Sequence, residues 1–92
     1  MTPRDENSPY QTRVEGKILN IYPGDHPPPH AHVFVNKESG GTLVFNLKTL
    51  ILLEKYRHNR TAMRDVAAIR NAMKPIQGEL LLAWLRLNPT IH

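Results

Sequence analysis

The spacing of apolar residues changes near Thr61, and that change restricts the fold more than any other feature of the chain. Upstream, Ala31, Val33 and Val35, and then Leu43, Phe45 and Leu47, occupy alternate positions. Downstream, Ala62, Val66, Ile69, Met73, Ile76, Leu80, Trp84 and Leu87 recur every three or four residues. Alternation belongs to a strand with one buried face, and the longer period belongs to a helix with one apolar stripe. Strands followed by a helix imply an α+β domain: a small antiparallel sheet of three to four strands with a C-terminal helix packed on one face.

Strand character begins near Arg13 and firms from Lys17 to Tyr22, where Ile18, Leu19, Ile21 and Tyr22 suit a pleated surface. Pro23-Gly24-Asp25 breaks it. A second strand reads from Ala31 to Asn36, with His30, His32, Phe34 and Asn36 on the face opposite Ala31, Val33 and Val35. Lys37 to Gly41 supplies a hairpin turn, a third strand starts at Thr42, and a short fourth is expected at Leu50 to Leu53, after a turn or bulge near Lys48-Thr49. Thr61 is a reasonable N-cap, because its hydroxyl can accept an orphan amide of the first helical turn. Pro75 removes one helical hydrogen bond and crowds the carbonyl of Asn71, so the helix is expected to kink or split there, and Asn88-Pro89 ends it. Residues 1–13 are expected to form a flexible N-terminal arm, 14–88 a single domain, and 89–92 a tail.

Ninety-two residues leave room for one domain. A chain of this size buries roughly 60–70% of its unfolded surface, so self-association is a natural supplement and a homo-oligomer is expected. With no cysteine there is no disulfide framework, thiolate metal site or thiol nucleophile. No apolar run reaches the ~18 residues of a membrane span, and Met1 to Arg13 is too polar for a secretory signal, so a cytoplasmic protein without membrane contact is expected. The net charge is +4, but its distribution is uneven. Lys55, Arg57, Arg60, Arg64, Arg70 and Lys74 stand against Asp65 alone, so this one stretch carries more positive charge than the chain as a whole. Such a field favours an anionic partner, and Arg60 and Arg64, about one helical turn apart, can share a phosphate. The same run also serves simply as a solvated face. Tyr56, between Lys55 and Arg57, is an aromatic among cations, where a nucleobase can be contacted.

The segment Asp25-His26-Pro27-Pro28-Pro29-His30-Ala31-His32 holds three of the five histidines around a proline triplet. His30 and His32 share a strand face, with α-carbons roughly 6.5–7 Å apart, near enough for two imidazoles to converge on one ion. Zinc bonds imidazole nitrogen at about 2.0–2.1 Å, so a divalent ion such as zinc is the cofactor this pair could take. His26 is harder to include: with the prolines in polyproline II at ~3.1 Å per residue, it lies about 12 Å from His30, and three ligands from this segment would need a turn, for example through a cis proline. Asp25, His58, Glu79 or a second subunit could complete the set instead. Without a metal, His30 and His32 are candidates for a general acid and base acting on a phosphodiester. A purely structural use also stands beside these, with the prolines directing the second strand and the histidines bonding loop carbonyls. Phe34, on the same predicted face, can stack on a base or cover the sheet.

The run Ile18-Leu19-Asn20-Ile21-Tyr22 followed by Asp25-His26-Pro27-Pro28-Pro29-His30-Ala31-His32-Val33 closely resembles the signature of the bacterial family called domain of unknown function 4160. Glu79-Leu80-Leu81-Leu82-Ala83-Trp84 is similar to that family's closing helix. Members usually carry an aromatic where this chain has Ala31, a helix that continues through the position of Pro75, and a second tryptophan upstream. The resemblance implies a small cytoplasmic protein, often encoded beside another small protein in an arrangement similar to toxin–antitoxin pairs. By position it carries over Asp25, His26, His30 and His32 as the signature, with Leu80 and Trp84 as core.

Three functions follow as expectations. The first is a small binding or regulatory protein of toxin–antitoxin type, engaging a partner protein or nucleic acid through its basic surface and the His/Pro segment, with His26, His30, His32, Phe34, Arg57, Arg60 and Arg64 as binding candidates. The second is a metal-dependent or histidine-catalysed phosphodiester hydrolase. The third is a protein that binds or sequesters a nucleotide.

Overall fold

The computed structural model describes residues 9–24, 26–36, 41–53 and 62–89. Four strands form one antiparallel meander in the order β1 (Tyr10–Val14), β2 (Lys17–Ile21), β3 (His30–Asn36) and β4 (Gly41–Asn46). The helices follow: a 3-10 turn at Ala62–Asp65, α1 (Val66–Met73), a second 3-10 turn at Lys74–Ile76, and α2 (Gln77–Leu87). The domain is α+β, with sheet first and helices last.

The core lies between the helices and one face of the sheet. Leu19, Ile21, Ala31, Val33, Leu43, Phe45 and Leu47 face Ile69, Met73, Leu80, Ala83 and Trp84, all fully buried. Each fully buried residue of leucine or phenylalanine size stabilises by about 1.5–3 kcal/mol, which is why the alternating and helical stripes fold against each other. Trp84 lies at the centre, and its indole N–H has no acceptor among the described residues.

The sheet begins earlier than composition predicts. Tyr10 to Arg13, assigned to the arm, pair with β2 in the register Tyr10↔Ile21, Gln11↔Asn20, Thr12↔Leu19 and Arg13↔Ile18. Their polarity is that of an edge strand, alternating between half-buried and exposed positions. The two-residue connection Glu15-Gly16 explains the pairing. Both residues have positive φ, 52° and 73°, the requirement of the tight hairpin turn whose twist matches its strands.

Leu50 to Leu53 contribute less than a strand. Phe45 and Leu52 form a single antiparallel bridge, flanked by Asn46 N–H to the Ile51 carbonyl and Leu53 N–H to the Val44 carbonyl, each 2.9 Å. Leu50 has φ 62°, which turns the chain too sharply for a longer ladder. Helix side chains hold this bend: Arg70 Nε donates to the Leu50 carbonyl at 2.6 Å, and Gln77 Nε2 to the Leu47 carbonyl at 2.7 Å.

Pro75 lies in the 3-10 turn between the helices, where its missing N–H is tolerated near a helix start. Asn88 ends α2. Its backbone N–H and its Nδ2 both donate to the Trp84 carbonyl, at 2.9 and 3.0 Å, and Nδ2 also reaches the Tyr22 carbonyl at 3.3 Å. The proposed N-cap Thr61 and residues 37–40 of the expected turn lie outside the described residues, and Gly41, assigned to that turn, is the first residue of β4. Among the described residues no helix is long and apolar enough to cross a membrane.

Candidate binding face of the sheet

Because the helices take one face of the sheet, alternation delivers His30, His32 and Phe34 to the other. Strand register extends that face into rows. One runs Gln11, Asn20, His32 and Val44 across the four strands, and the next runs Arg13, Ile18, Phe34 and Thr42. Asn46 lies opposite His30. Tyr22 joins them at the end of β2, where its ring meets His32 edge-on, with centroids 5.1 Å apart and planes at 68°.

The two strand histidines have different environments. His30 is only 2% exposed, and its Nδ1 lies 2.7 Å from the Pro28 carbonyl. A carbonyl only accepts, so this contact puts the ring proton on Nδ1. Nε2 is sealed from solvent. His32 is half-buried and packs against His30 at 5.3 Å with an interplanar angle of 64°. His26 is exposed, beyond a proline run that includes a cis bond between Pro27 and Pro28. The segment is thus divided among an exposed, a buried and a half-buried ring.

Among the described residues, no three His, Asp or Glu side chains are grouped so that they could hold a metal ion. Zinc sites take about three protein ligands when catalytic and about four when structural, more than His30 and His32 supply by themselves. Glu79 is engaged on the helix side, where it accepts the Tyr10 hydroxyl at 2.7 Å. Burial raises the Tyr10 pKa, and the Glu79 hydrogen bond and charge add to the rise. Asp25 and His58 lie outside the described residues, as do Tyr56, Arg57 and Arg60. Arg64 is exposed in the 3-10 turn ahead of α1.

The rest of the face grades from closed to open. Asn20 and Val44 are buried, while Ile18, Tyr22, Thr42 and Asn46 are half-buried. Gln11, Arg13 and Phe34 are exposed, Phe34 to 38%. Gln11 Nε2 donates to Asn20 Oδ1 at 3.0 Å. No Asp or Glu stands in these rows, and Glu15 lies at the rim in the hairpin turn. Arg13, Gln11 and Tyr22 are among the members that sequence reasoning did not name as binding candidates. Alternation through β2 links Tyr22 to Asn20 and Ile18, but Gln11 and Arg13 join only once β1 is paired. Comparisons with protein-family models, curated proteins and solved structures returned no match to this chain.

Proposed function

We propose that the chain is a small binding module of the toxin–antitoxin type, whose anionic partner is engaged through the outer sheet face with its His/Pro segment and through the basic stretch from Lys55 to Lys74. The observation that carries the reading is the outer face itself, with an exposed aromatic, an exposed cation and no carboxylate in its rows. His30, closed off and bonded to Pro28, supports the strand that presents His32 and Phe34. A hydrolase using both imidazoles would require the sealed Nε2 of His30 to reach substrate or metal, which makes binding the better-supported use. The resemblance of the His/Pro segment to domain of unknown function 4160 supports the same reading, and a cytoplasmic location and a homo-oligomer belong to the proposal.

Retention on immobilised heparin, compared with neutral dextran, tests the anionic partner. Binding at low salt that weakens steeply with added salt is expected. Equal behaviour on both matrices would overturn the reading, and phosphodiester turnover abolished by His30→Ala would replace it with the hydrolase.

A further inference from the structure

We infer that the occupant of the outer sheet face is a single-stranded nucleic acid, its bases stacking on Phe34 beside His32 while Arg13 meets a phosphate. This rests on the reading of the chain as a module for an anionic partner and adds the chemistry of that partner.

Phe34 lies on a central strand, 38% exposed, while the apolar core fills the opposite side of the sheet. Its ring therefore covers none of the helix-side core. Across the neighbouring strands it faces Ile18 and Thr42, and Arg13 ends that row on the edge strand. The result is an aromatic and apolar centre with a cation at its margin. The adjoining row adds the half-buried His32 and the exposed amide of Gln11, which is held by buried Asn20.

The orientation of the His32 ring is set in advance. Tyr22 and His30 both pack against it in T-shaped contacts, at 5.1 and 5.3 Å, so His32 is a fixed wall beside Phe34 and the exposed Phe34 ring is the stacking surface. Proteins that bind single strands combine π-faces with a cationic surface, because every base has a face to stack and every nucleotide has a charge. Amides such as that of Gln11 can read the base edges. A duplex hides its base faces and would engage the cations alone. An acidic protein needs the positive charge but no exposed ring.

Fluorescence anisotropy of the full chain tests this with labelled oligo-dT, oligo-U, a duplex of equal length, and heparin as competitor. Tighter binding of either single strand than of the duplex is expected, and the preference between oligo-U and oligo-dT distinguishes RNA from DNA as its source. Phe34→Ala and Phe34→Leu should each weaken it on the order of tenfold, with Leu retaining apolar cover and showing that the ring matters. Arg13→Gln should lower the salt slope by about one unit. If duplex and heparin bind as well as the single strands, and neither Phe34 variant changes affinity while both stay folded by circular dichroism, stacking is overturned and the polyanion module survives. Binding to none of these polyanions overturns both.

Discussion

His30 and His32 show how two neighbours on one strand face can serve different ends. His30 is buried with its Nδ1 on the Pro28 carbonyl, so replacing it leaves both a void and an acceptor without its donor. His30→Ala is expected to lower stability by about 2–4 kcal/mol in urea unfolding, with an unchanged denaturant slope. His32→Ala, at a half-buried ring, should lose about 1 kcal/mol. Equal small losses at both would contradict a supporting role for His30. Strand alternation was enough to place both rings and Phe34 on one face. The depth of each was not legible, because burial depends on segments remote in sequence. Tyr10 makes a second prediction at this scale. Its hydroxyl ionises above the usual 10.0 in the folded chain, chiefly through burial and then through Glu79. The folded state therefore holds a proton that the unfolded chain releases, so the associated stability is present below pH 10 and lost as pH rises through the folded value. Tyr10→Phe should flatten that alkaline decline in urea midpoints measured from below to above pH 10.

Among the elements, the β1–β2 hairpin depends most on one residue. Gly16 has φ 73°, and a β-carbon there would meet no atom within 4 Å, so Gly16→Ala isolates backbone strain from packing. A loss of about 1 kcal/mol is expected, read as a shift in thermal midpoint. A neutral result would mean that the turn relaxes to another geometry. The apolar stripe predicted the helices well, including the division at Pro75, since proline's missing N–H and ring are local facts. β1 was hidden because Gln11 and Arg13 read as arm-like residues until β2 is available to pair with them. The expected strand at Leu50 to Leu53 shrank to one bridge at a bend where Leu50 has positive φ, its N–H donates to the Asn46 carbonyl, and Arg70 and Gln77 bond the Leu50 and Leu47 carbonyls. Arg70→Met keeps much of the aliphatic stem and removes the bond to the Leu50 carbonyl. A loss of about 1–2 kcal/mol by urea unfolding is expected.

For the whole molecule, the division of the sheet into a face packed on α1 and α2 and a face that carries Phe34 and Arg13 should separate stability from the proposed recognition. Substitutions at Phe34 and Arg13 should alter affinity while leaving the unfolding midpoint nearly unchanged, and substitutions at Leu43 or Leu80 should do the reverse. The two faces nevertheless share one physical connection. Asn88 Nδ2 donates both to the carbonyl of Trp84, in the core, and to the carbonyl of Tyr22, whose ring rests against His32. The chain has a single tryptophan, so its ultraviolet emission has only one source among indoles. A molecule pressing on His32 should therefore shift that emission without any attached dye, and Asn88→Ala should mute the shift more than it weakens binding. An emission shift that saturates with ligand would make Trp84 an internal optical gauge of occupancy, with the light source on one side of the sheet and the sensed event on the other, and a saturated complex with unshifted emission would show that the two faces are uncoupled.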